Sequence, residues 1–297
     1  MRIAISGSTG LIGSTLTKHF VHKGDVVTSI TRRQKNPNDL TWDPAQGRIQ
    51  LEKLENHDVV IHLAGTTISG RWTPSYKKLI EASRIDGTRL LCQTLTKLKH
   101  KARVLLSASA VGYYGNHAPE KICDESSVVG SGFLSEVCRQ WEEETRYARE
   151  AGIHVVNLRF GVVLGKSGGA LAQMLPIFKL GLGGVLGSGR QMMSWIALPE
   201  IPLIVDHLIK TESFAGPVNI VSPAPVSNRE FTKILGQVIH RPVIFPVPGF
   251  GVKILFGEMG QTLLLEGVTV LPKRLQETGY VFRYPLLKPA LDAVLNP

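Results

Sequence analysis

Three observations predict an α/β fold, a Rossmann-type doubly wound parallel sheet with a smaller C-terminal α+β substrate lobe. Apolar runs of strand length alternate with segments of helical period, a glycine turn joins the first strand to the first helix, and the composition changes after residue 165. Residues 2–6 (RIAIS) read as a buried strand. In 14–23 (STLTKHFVHK) the apolar residues at 16, 20 and 21 have helical spacing, and Gly24 stops the helix. DVVTSITRR is a second strand that ends in two arginines, and 58–64 (DVVIHLA) is a third. KKLIEASRIDGTRLLCQTLTKL has the period of a long helix, and RVLLSASA that of a strand. A polar loop over 115–131, a helix from Phe133 to Glu150 and a strand in IHVVNLRFGVVLG complete the alternation. Such sheets bind ligands at the carboxyl ends of their strands.

Residues 165–195 are glycine-rich, and proline accumulates later, in VSPAPVS, IHRPVIFPVPG and RYPLLKP. The division expected is a first domain over 1–165, to which part of 196–222 returns, and a smaller lobe built from 166–195 and 223–297. No internal repeat or low-complexity tract interrupts it.

Composition narrows the classes. With 43% hydrophobic and 20% charged residues the chain reads as globular rather than disordered. No apolar run approaches the roughly 20 residues of a membrane span, so no membrane partner is expected. The start, MRIAISGSTG, has no h-region or cleavage site and reads as a cytoplasmic N-terminus. The three cysteines, Cys92, Cys123 and Cys138, have no CxxC spacing and read as buried free thiols. The net charge of +10 is scattered along the chain, and nothing else supports a nucleic-acid partner. The nine histidines show no metal-binding spacing, so no metal is expected.

The chemistry begins at GSTGLIG. Gly7, Gly10 and Gly13 stand between a strand and a helix, with Thr9, Leu11 and Ile12 on the same turn. Gly7 suits a tight turn, Gly10 lets the backbone approach a pyrophosphate, and Gly13 lets the helix pack on the strand. The helix N-terminus presents free N–H groups to the anion. The spacing is GxxGxxG rather than GxGxxG. The second strand ends at Thr31-Arg32-Arg33, where an NAD site places a carboxylate for the ribose hydroxyls. Two guanidinium groups there suit a 2′-phosphate, so the cofactor expected is NADP(H). Strand-end geometry adds Leu63, Ala64 and Gly65, and further along Ser107 and Val162. Arg84, on the long helix, is placed to reach the ribose or the phosphates.

GSTGLIG, HLAG at 62–65, SASAVGYYG at 107–115 and LRFGVVLG at 158–165 together resemble the extended short-chain dehydrogenase/reductase family. LGLGGVLGSGRQMMSWI at 180–196 and the long stretch 246–282 are similar to its NAD-dependent epimerase/dehydratase-like branch, the YfcH-like or SDR39U1-like group with a C-terminal domain of unknown function. The resemblance covers the whole chain. It implies a serine after a strand, here Ser109 with Ser107 as the alternative, and a Tyr-xxx-Lys pair whose Tyr is the acid/base. That pair is missing. Aligning Glu142 with the acidic residue after the motif puts Leu134 and Cys138 at its positions, and a shift by one puts Phe133 and Val137 there.

Two functions therefore stand side by side. One is an NADP-dependent oxidoreductase or sugar-nucleotide-epimerase-like enzyme of unknown small-molecule substrate, with Ser109 polarising the substrate and Tyr113 or Tyr114 as the acid. The other is a protein that binds or senses NADP(H) without turnover. Glu142, Glu143 and Glu144 read as a solvated helix face, and Glu258 and Arg274 as structural features of the second lobe. Paired helices in such folds often make homodimers.

Overall fold

The computed structural model describes residues 1–211 and 214–296; Glu212, Ser213 and Pro297, which fall within the spans assigned above, lie outside the described residues. In chain order the first part comprises β1 (Arg2–Ser6), α1 (Leu11–His22), β2 (Val26–Thr31), β3 (Leu40–Asp43), β4 (Arg48–Ile49), β5 (Val59–His62), α2 (Pro74–Thr96), β6 (Val104–Ala110), β7 (Ile122–Cys123), α3 (Phe133–Glu143), α4 (Arg146–Glu150) and β8 (His154–Phe160). There follow β9 (Val162–Leu164), α5 (Gly169–Lys179), β10 (Met192–Met193), β11 (Trp195–Ala197), α6 (Ile201–Lys210), β12 (Gly216–Ile220), β13 (Val226–Ser227), α7 (Asn228–Val238), α8 (Gly249–Gly260), β14 (Thr269–Val270), α9 (Lys273–Glu277) and α10 (Leu287–Leu295).

The main sheet runs β12-β8-β6-β5-β1-β2-β3-β4, parallel throughout except for the β3–β4 edge pair. From β1 the chain builds outward through β2 and β3, then returns past β1 to lay down β5, β6, β8 and β12 on the other side. The order therefore reverses between β1 and β5, and the crevice outside their carboxyl ends is where this topology binds ligands. Alternate strand residues feed two cores. Ile3, Ile5, Ile61, Leu106 and Leu158 pack with α1 and α6 on one face. Ala4, Val60, Leu105 and Val155 pack with α2 on the other. Both faces are covered, which is why these strands read as continuous apolar runs.

Two elements expected to be single are divided. The segment 153–165 breaks at Gly161, where a Cβ would meet the Ser194 carbonyl oxygen at 2.4 Å. That close approach lets the chain leave the main sheet after β8 and pair β9 with β11. The helix expected over 133–150 ends at Glu143 and restarts at Arg146. The short strands β3 and β4 went unsignalled, because four and two residues carry too little periodicity.

The C-terminal lobe has its own core, in which α5, α7 and α10 pack around β9 and the fully buried Trp195. Arg274 ties this lobe to the edge of the sheet by donating to the Ala215 and Pro217 carbonyls. Among the described residues no helix is long and apolar enough to cross a membrane, and no cluster of His, Cys, Asp and Glu could hold a metal.

Candidate cofactor crevice and active site

The glycine turn is built from three different constraints. Gly7 has φ +69°, and a Cβ there would lie 2.9 Å from the Leu63 carbonyl carbon and oxygen across the crevice. Gly13 is closed by the turn itself, since a Cβ would stand 2.1 Å from the Gly7 oxygen. Gly10 is different: its φ of −76° suits any residue, and its Cβ would meet only the Gly7 oxygen, at 3.3 Å. The protein leaves the space above Gly10 open.

Gly10 also caps α1 without a side chain, and the first turn holds no acidic residue. The first helical bond runs from the Ser14 N–H to the Gly10 carbonyl. The N–H groups of Leu11, Ile12 and Gly13 are left at an open, positively polarised end. Thr9 and Gly10 are exposed beside them.

The opposite wall is held by a relay. Ser6 Oγ accepts the N–H groups of Leu63 and Ala64 at 3.1 and 3.3 Å and donates to His62 Nδ1 at 2.7 Å. His62 Nε2 then donates to Thr88 Oγ1 at 3.0 Å, so this network assigns the ring proton to Nε2. Burial pushes the His62 pKa down to about 4, which keeps it neutral.

Two sets of cations face this region. Thr31 Oγ1 donates to the Arg33 carbonyl, fixing the chain where Arg32 and Arg33 leave β2; both arginines are exposed, and neither forms an ion pair among the described residues. Arg84, expected on the helix surface or at the cofactor, is half-buried. It lies over the Trp141 indole, 5.1 Å from the ring centre, and against Gly65, whose Cβ would be 3.4 Å from the guanidinium carbon. It donates to the Ile80 carbonyl, no carboxylate among the described residues pairs with it, and burial lowers its pKa.

The residues expected to do acid/base chemistry are employed otherwise. Ser109 Oγ donates to Glu142 Oε1 at 2.6 Å. Glu142 takes both Nε and Nη2 of Arg159 at 2.8 Å, so it is the partly buried partner of a buried arginine and not the solvated face expected from the EEE run. Arg159 Nη1 donates to the Tyr114 hydroxyl at 2.9 Å, and that hydroxyl donates to Asn219 Oδ1 at 2.7 Å. Tyr114 is fully buried and burial pushes its pKa up to about 12, which corrects the expectation of an acid at this position. Tyr113 is half-buried with its ring stacked on the Arg159 guanidinium, 3.5 Å from carbon to ring centre. Ser107 is completely buried inside the sheet, its Oγ without a partner, so contact with a cofactor is closed to it. Val162 packs against the core of the C-terminal lobe.

Leu134 and Cys138, the positions at which the resemblance calls for the pair, pack against the turn after β6. A Cβ on Gly112, in the turn after β6, would meet Leu134 Cβ at 3.4 Å and Cys138 Sγ at 3.8 Å. Burial pushes the Cys138 thiol up to about 12, so it offers no thiolate. The shifted register, Phe133 and Val137, is equally apolar and packs with Trp72 and Ile80.

The model of the NAD-dependent epimerase/dehydratase family matches residues 3–215, most of the chain. The chain belongs to this family. A domain of unknown function, DUF1731, matches residues 247–294. Among family members, the epimerase family protein Mb2239 of Mycobacterium bovis is 39% identical over 97% of this chain and 96% of its own length. The crystal structure of the human epimerase family protein SDR39U1 with NADPH superposes with a TM-score of 0.91, at 33% identity and full coverage of both chains. A nucleoside-diphosphate sugar epimerase of Corynebacterium glutamicum gives 0.82 at 32% identity, covering 99% of this chain and 58% of that one. The family motifs carried by GSTGLIG and HLAG are therefore built on the two walls of one crevice.

Proposed function

We propose that the protein holds NADP(H) in the crevice between β1 and β5, and that holding the dinucleotide, rather than turning over a carbonyl or sugar substrate, is its function. The observation that carries this reading is that Leu134 and Cys138, where the resemblance calls for a Tyr-xxx-Lys pair, are an apolar side chain and a buried thiol packed against Gly112. The residues present fit the cofactor. The space above Gly10 admits a pyrophosphate that a Cβ would displace, and the N–H groups of Leu11 and Ile12 would hold it. Arg32 and Arg33 would take the 2′-phosphate as charge-assisted, bidentate donors. Arg84, which has no carboxylate partner among the described residues and lies against Gly65, would neutralise a phosphate or donate to ribose oxygens. The human SDR39U1 structure, which contains NADPH, supports the choice of cofactor. Bound NADPH would supply a hydride, and Leu134 and Cys138 would offer no proton beside it.

A second reading, an NADP-dependent oxidoreductase or epimerase, is favoured by one observation. Met259 and Leu263 of the C-terminal lobe join Leu134, Phe133 and Trp72 in a single apolar cluster, as a cover over a substrate would. Tyr113 is then the remaining acid, since it alone of the three named groups keeps its hydroxyl outside the Glu142–Arg159 network. The two readings separate in a turnover screen. NADPH-loaded protein is incubated with carbonyl compounds and nucleotide sugars, and cofactor oxidation and sugar isomers are followed. The binding reading expects tight NADPH binding and no turnover; sustained turnover lost in Tyr113→Phe would replace it with the second.

A further inference from the structure

Strands β3 and β4, the two that the sequence does not signal, hold the segment that carries Arg32 and Arg33. β3 runs parallel to β2, with Ile30 opposite Leu40 and Thr31 opposite Thr41. The connection between them is only the eight residues 32–39. Neighbouring parallel strands are ordinarily joined by about a dozen residues or more, usually with a helix among them. This connection contains no helix and returns to the end of β2 within its short span. Its first four residues include three cations, Arg32, Arg33 and Lys35, and none of them forms an ion pair among the described residues. Mutual repulsion alone would spread such a segment.

The loop is instead tied from within and from the β3–β4 hairpin. Asp39 is the next carboxylate along the chain, 5% exposed, and it is spent on the backbone rather than on a guanidinium group. Its Oδ2 accepts the N–H groups of Lys35 and Asn36 at 2.9 and 2.8 Å, and its own N–H donates to the Asn36 carbonyl at 3.0 Å. Gln34 Nε2 donates to the Asn36 and Pro37 carbonyls, both at 3.1 Å. Lys53, on the helical turn after β4, donates through Nζ to the Pro37 and Asp39 carbonyls at 2.9 and 2.8 Å. Gln50 fixes the base of the hairpin: its N–H donates to the Thr41 carbonyl and its Oε1 accepts the Thr41 N–H.

We propose that Asp39, supported by Gln34 and Lys53, is a positioning residue for cofactor choice. It holds the 32–39 loop in shape before the dinucleotide arrives, so that Arg32 and Arg33 meet the 2′-phosphate without first being ordered. This rests on the reading above that those two arginines take the 2′-phosphate. Shape and charge predict opposite signs here. By charge alone, removing a carboxylate from this loop strengthens the binding of a phosphate dianion. If Asp39 acts by shape, removing it weakens that binding.

Calorimetric titration of the full chain with NADP and with NAD tests this. The unaltered protein should prefer NADP. Asp39→Ala should lower NADP affinity about tenfold and leave NAD affinity within about twofold. Asp39→Asn keeps an oxygen for the two N–H groups and should bind both dinucleotides within about twofold of the unaltered protein. Gln34→Ala changes an exposed, uncharged residue and decides the matter should Asp39→Ala fail to fold; it should lower NADP affinity about threefold and spare NAD. Tighter or unchanged NADP binding in Asp39→Ala would overturn the proposal, as would equal losses for both dinucleotides or an Asp39→Asn variant no better than Asp39→Ala. No preference for NADP in the unaltered protein would remove the 2′-phosphate reading and this proposal with it. A preference that Arg32→Ala with Arg33→Ala abolishes, but that Asp39→Ala and Gln34→Ala leave intact, would overturn the positioning role alone.

Discussion

The two ends of the crevice treat their polar groups in opposite ways. At the glycine turn the backbone donors of α1 are left open, and among the described residues neither Arg32 and Arg33 nor the half-buried Arg84 has a carboxylate partner. At the β6–α3 end the side chains expected to do acid/base chemistry are engaged in one network: Ser109 with Glu142, Glu142 with Arg159, Arg159 with Tyr114, Tyr114 with Asn219. An open helix N-terminus beside cations that no carboxylate among the described residues neutralises is a surface suited to an anion. A closed network marks a framework. The comparison separates binding from catalysis within one site, and four experiments press on it.

The largest effect is expected at Gly10. Gly10→Val has an allowed φ and one tight contact within the protein, so it should fold, while its side chain occupies the phosphate position. Calorimetry on the folded variant should show a loss of NADPH affinity on the order of 1,000-fold or more. Gly13→Val, by contrast, should fail to fold, because its Cβ falls 2.1 Å from the Gly7 oxygen. If both variants fold and bind, the turn is not the phosphate site.

At the framework end, Glu142→Gln leaves a buried Arg159 without its counter-charge. Breaking a buried pair costs about 3–5 kcal/mol, and denaturant unfolding should register most of it. Stability within about 0.5 kcal/mol of the original would mean that Glu142 is solvated after all.

The wall of the crevice gives a pH signature. Folding lowers the His62 pKa to about 4, while in the unfolded chain it stays near 6.5, so on acidification the unfolded chain takes up the proton first. The contribution to stability is complete above about pH 6.5 and falls by about 3 kcal/mol as the pH drops through 4. His62→Gln should flatten that part of the stability profile; an unchanged slope would show that the ring is not held neutral by burial.

The smallest effect is on cofactor choice. Arg32→Ala with Arg33→Ala should weaken NADP binding roughly ten- to hundredfold, as expected for lost charge-assisted bonds, and leave NAD unchanged. Equal losses for both dinucleotides would remove the 2′-phosphate from this pair.

The legibility of the sequence follows the same division. The glycine turn could be read because its three constraints fall within seven consecutive residues, between a strand and a helix that are themselves clear. Arg32 and Arg33 could be read because a strand end predicts where a ribose lies. The framework could not, since its members come from residues 109, 114, 142, 159 and 219, five separate segments that only the folded sheet brings together. Adjacent Tyr113 and Tyr114 looked equivalent, yet the short helical turn sends their rings 83° apart, one onto Arg159 and one into the core. A signal was present in LRF: a charge inside an apolar strand is seldom buried without a partner. Arg159 implied a buried carboxylate, and Glu142 was mistaken for part of a solvated run.

The most direct measurement is a crystal structure of the protein with NADPH. The pyrophosphate is expected on the N–H groups of Leu11 and Ile12 and the 2′-phosphate on Arg32 and Arg33. The nicotinamide should lie against Leu134 and Cys138, with no titratable side chain within about 3.2 Å, the reach of a proton donor, of the reacting position. A tyrosine, lysine or serine hydrogen-bonded at that position, with the Glu142–Arg159 network opened to release it, would contradict a site built to hold the dinucleotide without turnover.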